Sequence, residues 1–171
     1  MLTLVYGGAG SGKSALAEKI CCALPGRRVY LATMQVRDAE SLARVDKHRR
    51  QRDGLGFHTV ERACGLTGTV LLPGDNILLE DLANLLANEM FSENGGGEAA
   101  VREGIRHLAR SSAHLTIVTN EVFTGGTAYG EDTLRYMKSL AALNRSFAAQ
   151  ADLVVEAVCG LPNLLKGALP W

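Results

Sequence analysis

Gly7-Gly8-Ala9-Gly10-Ser11-Gly12-Lys13-Ser14 is a complete G-x4-G-K-[ST] stretch, preceded by the apolar run Leu2-Thr3-Leu4-Val5-Tyr6 and followed by a helical pattern from Ser14 to Leu24. Strand, glycine-rich turn and helix in that order are the context that gives the pattern its meaning. Glycine reaches backbone dihedrals that other residues avoid. The amides of Gly7, Gly8, Ala9, Gly10, Ser11 and Gly12 can therefore wrap around a polyphosphate. Lys13 would meet the β- and γ-phosphates, and the Ser14 hydroxyl would ligate Mg²⁺. A bare strand-to-helix turn would not need the whole pattern, so the expected ligand is a nucleoside triphosphate, GTP or ATP.

At 171 residues the chain is expected to form one domain, 1–171, with a real core. Lys+Arg and Asp+Glu are both 18, so no global charge points to nucleic acid or acidic lipid. The loop begins too early for a signal peptide, and no apolar run approaches the roughly 18 residues of a membrane span. A cytoplasmic protein without a membrane span is the expectation. Cys21, Cys22, Cys64 and Cys159 form no C-x-x-C pair and are read as reduced, mostly buried residues.

Strand candidates at Leu2–Tyr6, Arg28–Ala32, Asn76–Glu80, His114–Val118 and Leu153–Val158 alternate with helical stretches near Ala39–Arg52, Asp81–Phe91, Glu98–Ser111 and Glu131–Gln150. Phe57–Val60 adds a short strand, and Asn94-Gly95-Gly96-Gly97 reads as a flexible connector. Consecutive apolar residues in the strands suit a sheet covered on both faces. The alternation predicts a three-layer α/β fold with a mostly parallel sheet flanked by helices.

In such a sheet ligands collect beyond the carboxyl ends of the strands. The phosphate loop, Ala32-Thr33-Met34-Gln35, Glu80-Asp81 and Asn120-Glu121 all fall there. Glu80 ends the apolar run Ile77-Leu78-Leu79, so its carboxylate is a candidate to organise Mg²⁺. Asp81 fits a helix N-terminal acid.

Arg44, His48 and Arg52 share one helix face at i, i+4 and i+8, with Lys47, Arg49 and Arg50 around them and Asp46 as the one acid in the stretch. Concentrated cations near a phosphate loop suggest anion handling. An imidazole there could attack an α-phosphate, expel pyrophosphate and hold the nucleotide as a phosphoramidate. An ordinary exposed helix histidine fits the same residues.

These residues together resemble the bifunctional adenosylcobinamide kinase / adenosylcobinamide-phosphate guanylyltransferase family of cobalamin biosynthesis. The similarity runs nearly end to end. It takes in Val5-Tyr6-Gly7-Gly8 with its loop, Val29-Tyr30-Leu31-Ala32-Thr33-Met34-Gln35, Ala43-Arg44-Val45-Asp46-Lys47-His48, Thr59-Val60-Glu61, Leu78-Leu79-Glu80, Val118-Thr119-Asn120-Glu121-Val122 and Gly160-Leu161-Pro162 after the last strand. The resemblance implies a RecA-like P-loop sheet assembled as a trimer, with His48 as the guanylylated nucleophile. It implies nucleotide contacts at Gly7 to Ser14, Ala32, Thr33, Met34, Arg49, Arg50, Gln51, Arg52, Glu61 and Glu80. The implied reactions are phosphorylation of the adenosylcobinamide aminopropanol hydroxyl and transfer of GMP to that phosphate.

This chain departs from the family at Gly10, where arginine is usual, and after Val122, where N-E-V-G-x-G-I-V-P becomes Asn120-Glu121-Val122-Phe123-Thr124-Gly125-Gly126-Thr127-Ala128-Tyr129. Glycines in place of the stiffer Ile-Val-Pro run predict a mobile loop at Phe123 to Gly130. Two competing readings follow: a P-loop small-molecule kinase without a covalent intermediate, and a nucleotide-binding regulator that has lost catalysis.

Overall fold

The computed structural model describes residues 1–35, 39–126 and 128–171, apart from the side chains of Glu40, Ser41, Arg44 and Lys47. Strands and helices alternate as β1 Leu2–Gly7, α1 Lys13–Ala23, β2 Arg27–Ala32, α2 Ala39–Gln51, β3 His58–Glu61, β4 Asp75–Glu80, α3 Leu82–Phe91, α4 Gly97–Ser111, β5 His114–Asn120, α5 Glu131–Gln150, β6 Leu153–Val158 and β7 Leu161–Lys166. Among the described residues these strands form one seven-stranded sheet, in the order β3-β2-β4-β5-β1-β6-β7. All its pairings are parallel except that of β6 with β7.

The apolar runs divide residue by residue between two faces, because successive side chains of a strand point to opposite sides. Leu4, Leu31, Ile77, Leu79 and Ile117 join Leu85, Leu86, Ile105, Leu108 and Leu143 beneath α3, α4 and α5. Their neighbours Val5, Tyr30, Leu78, Val118 and Val155 join Leu16, Ala17 and Ile20 of α1 on the other face. The result is the expected three-layer arrangement.

Two local readings hold and three change. Asp81 caps α3, its carboxylate accepting from the Asn84 amide over 2.7 Å. His58–Glu61 forms the short strand expected near that position. The glycine connector is stitched to the body: Glu89, 3% exposed, accepts from Gly96 N and from Gly65 N, both over 2.8 Å. Strand β7 was not expected. All its residues are exposed, so no buried alternation marks it, and only pairing with β6 reveals it. The cysteines are free, but only Cys21 is buried; Cys22 and Cys64 are half-buried and Cys159 is exposed. No helix of the described residues is long and apolar enough to cross a membrane.

Candidate functional site

Strand β1 ends at Gly7 and α1 begins at Lys13, so the chain reverses within the glycine-rich loop. Gly10 and Gly12 take φ of 70° and 88°, the left-handed region where a side chain is strained. Gly12 caps α1 without a side-chain hydrogen bond, which leaves the first amides of the helix available to an anion. The turn between β6 and β7 braces the loop from behind: Gly160 N donates to Ser11 O over 2.8 Å.

Lys13 is 9% exposed and folds over the loop, with Nζ donating to Gly8 O over 3.0 Å. Ser14 Oγ donates to Glu80 Oε1 over 2.7 Å. Burial and then the neighbouring Asp81 carboxylate push Glu80 up to about 8, against the Ser14 hydroxyl and Lys13, which pull it down. Burial raises Asp81 too, although it accepts from Asn84 N and from Asn120 Nδ2, the latter over 2.9 Å. Thr33 shapes this strand end from inside: its hydroxyl accepts from Asp81 N and donates to Asp81 O, each over 2.8 Å.

A cavity of about 810 Å³ opens beyond the strand ends. Ala9, Lys13 and Ser14 line it from the loop, Ala32 and Met34 from the end of β2, and Glu80 from the end of β4. His48, Arg49 and Arg52 line it from α2 and the residue after it, and Glu61 from β3. Arg49 Nη2 meets Glu61 Oε1 at 3.0 Å, so this guanidinium shares its charge with a carboxylate. Arg52 is 7% exposed, with its guanidinium carbon over the Tyr30 ring, 3.3 Å from the centroid.

The basic face differs in detail from the sequence reading. Helix α2 ends at Gln51, and Arg52 follows directly, its amide donating to His48 O over 3.2 Å, so it opens on the same cavity as His48. Arg50 is exposed and Gln51 turns to Glu18 of α1, and neither lines the cavity. Thr33 is fully buried and does not line it either. The side chains of Arg44 and Lys47 lie outside the described residues, as does Thr127. None of the other residues from 123 to 130 lines the cavity. Glu121 holds the start of that loop, accepting from Phe123 N, Thr124 N and Thr124 Oγ1.

Sequence reasoning missed Tyr30, Arg62 and Asn84 as lining residues. Arg62 and Asn84 sit one or more residues outside the motifs, and Tyr30, though within the match at residues 29–35, carried no assigned role.

Among the described residues no cluster of three His, Cys, Asp or Glu could hold a metal unaided. Ser14 Oγ and the Glu80 carboxylate are hard oxygen donors, and Glu80 Oε2 is buried without a hydrogen-bond partner. One or two protein oxygens completed by phosphates are what Mg²⁺ ordinarily takes, so the pair fits that ion.

A glycine-rich loop between β1 and α1, with its lysine and serine beside a strand-end carboxylate on a mostly parallel sheet, defines a P-loop α/β protein. The chain belongs to the family described as cobinamide kinase / cobinamide phosphate guanyltransferase, which its sequence matches over residues 3–165. It is 30% identical to the bifunctional adenosylcobalamin biosynthesis protein CobP of Pseudomonas aeruginosa, over 98% of each chain. It is 32% identical to the bifunctional adenosylcobalamin biosynthesis protein CobU of Salmonella typhimurium, covering 97% of this chain and 100% of that one. Among solved structures, the P4 protein from bacteriophage phi6 in complex with ADP overlaps at a TM-score of 0.42 and 17% identity, across 95% of this chain and 53% of the other. That overlap is too slight to bear on fold or function.

Proposed function

We propose that this chain carries out both reactions of its family's description, as one P-loop unit over residues 1–171. The observation that carries this reading is that His48 lines the same cavity as Lys13, Ser14 and Glu80. A nucleophile and a triphosphate cradle opening into one space are what nucleotidyl transfer through the protein requires.

In the kinase reaction, the aminopropanol hydroxyl of adenosylcobinamide attacks the γ-phosphorus of GTP or ATP. A new O–P bond forms, the bond from Pγ to the β-phosphate oxygen breaks, and the hydroxyl proton is released. Lys13 and the loop amides stabilise charge on the transferred group. Ser14 and Glu80 would hold Mg²⁺, which supplies charge neutralisation to the phosphates when bound.

In the guanylyl reaction, an imidazole nitrogen of His48 attacks the α-phosphorus of GTP. An N–P bond forms and pyrophosphate leaves. An oxygen of the adenosylcobinamide phosphate then attacks the same phosphorus, the N–P bond breaks and the imidazole is regenerated. Arg49 and Arg52, which line the same cavity, would stabilise the charge that develops on the oxygens of this phosphorus. The same reading makes the protein a cytoplasmic homo-oligomer, a trimer by resemblance. Its partners are a corrinoid and a nucleoside triphosphate, with no nucleic acid.

Incubation with α-labelled GTP and Mg²⁺ should leave one GMP on His48, labile to acid and stable to mild alkali. His48→Ala should lose the label and keep GTP binding. Label that persists in His48→Ala would place the nucleophile elsewhere. Phosphorylation of the corrinoid without any protein label would favour a kinase with direct transfer.

A further inference from the structure

Helix α2 carries His48, yet none of its described residues belongs to either apolar core. Leu42 and Val45 face the cavity with His48 instead. Apolar packing therefore does not decide where along the cavity this helix stands. Polar contacts at its C-terminal end are available for that task.

Gln51, the last residue of α2, donates from Nε2 to Glu18 Oε2 over 2.7 Å. Glu18 belongs to α1 and is 3% exposed. It lies four residues after Ser14, so it shares a face of α1 with the hydroxyl at the phosphate end. Gln51 lies three residues after His48, less than one turn away. One rigid helix thus joins the loop to Glu18, and one turn of another joins Gln51 to His48. The next residue, Arg52, rests on Tyr30 of β2, and its amide donates back to His48 O over 3.2 Å.

Glu18 Oε1 is also buried and has no hydrogen-bond partner. A half-satisfied buried carboxylate is a poor device for stability, and retaining one makes sense where it fixes an arrangement. We propose that Glu18 and Gln51 are positioning residues, whose hydrogen bond sets the placement of His48 against the phosphate loop. The inference rests on the reading of His48 as nucleophile.

Gln51→Leu removes the donor at an exposed position, where folding is not at risk, and Glu18→Leu removes the acceptor. Both should slow His48 labelling at saturating GTP, on the order of ten- to a hundredfold, because small misplacements of a reacting group weigh heavily on rate. The affinity for a fluorescent GTP analogue should stay at the wild-type value in Gln51→Leu, while its Tm falls modestly because Glu18 loses its donor. Gln51→Arg and Glu18→Gln keep a donor and an acceptor and should label at close to the wild-type rate. A second readout does not need transfer: GTP should protect His48 from carbethoxylation in the wild type and much less in Gln51→Leu. Loss of that protection in a protein whose wild type never acquires label would support the positioning role while overturning the nucleophile. Equal labelling and equal protection in wild type and Gln51→Leu would overturn the positioning role itself, as would a rate loss matched by an equal loss in GTP affinity.

Discussion

The Ser14 hydroxyl donates to Glu80 Oε1 over 2.7 Å, tying the first turn of α1 to the end of β4. The two residues are distant in sequence and meet because the sheet carries both strand ends to one edge. A hydrogen bond between the two holds both side chains in place, which lowers the freedom either would lose on binding an ion.

Glu80 should make the protein less stable as pH rises. Its folded-state value of about 8 lies above its ordinary value of 4.5, so across that window the unfolded chain has released a proton that the folded protein keeps. The stabilising effect of the protonated carboxyl is therefore complete in acid and lost as pH rises through the folded-state value. Glu80→Gln has no proton to lose. Its unfolding free energy should match that of the wild type near about pH 4 and exceed it near about pH 9, by an amount on the order of a few kcal/mol. Thermal unfolding at both pH values is the check, and parallel curves for the two proteins would refute it.

Asp75 should give the opposite slope. It is fully buried at the start of β4, accepting from Arg27 Nε and Nη2 and from Leu72 N, all over 2.8 Å. The hydrogen bonds from Arg27 hold its carboxyl below the usual range despite burial. Its contribution is present above the ordinary carboxylate pKa and is lost as pH falls through the lowered one. Because the Arg27 side chain is 47% exposed, Asp75→Asn should cost only about 1–2 kcal/mol at neutral pH. Nucleotide binding should be untouched, since Asp75 does not line the cavity. Denaturant unfolding and a binding titration on the same sample separate the two effects.

The phosphate loop and the parallel strands were legible because their signals are local: a spaced motif, and runs of apolar residues buried on both faces. Strand β7 was not, since Leu161-Pro162-Asn163-Leu164-Leu165-Lys166 is exposed throughout and exists through its pairing with Val154–Val158. Lys13, Ser14, His48 and Glu80 could be read from motif, strand end and charge pattern. Glu18 could not, because a glutamate on an amphipathic helix reads as solvated until Gln51 of another helix covers it. Arg52 reads as one more cation of a helix face. Its seat on Tyr30 depends on where the helix stops, and sequence periodicity blurs that boundary by a residue or two.

Lys13→Ala should abolish productive use of the triphosphate. Lys13 Nζ already sits over the loop at Gly8 O, within the cradle that the phosphates would enter. Loss of a charge-assisted contact to the transferred group should lower the rate on the order of a hundredfold or more. The fold should survive, because the lysine contributes to neither apolar core. Steady-state phosphorylation of adenosylcobinamide measures this, and near-normal turnover would reduce the loop to a structural turn.

Gly12 and Gly10 separate backbone strain from contact. Both have positive φ, 88° and 70°, so alanine at either position strains the loop by about 1–2 kcal/mol. Only Gly12 faces a neighbour: a Cβ there would stand 2.9 Å from Gly160 Cα, while one on Gly10 meets nothing within 4 Å. Gly160 is the residue whose amide holds Ser11 O. Gly12→Ala must therefore push the β6–β7 turn off the loop and loosen the peptide just before the helix start. Gly12→Ala should lower Tm more than Gly10→Ala and weaken nucleotide binding by a larger factor. Calorimetric titration with a nonhydrolysable triphosphate, run beside thermal unfolding, compares the two variants directly. Equal losses in both would mean that the hairpin turn contributes nothing to the shape of the phosphate loop.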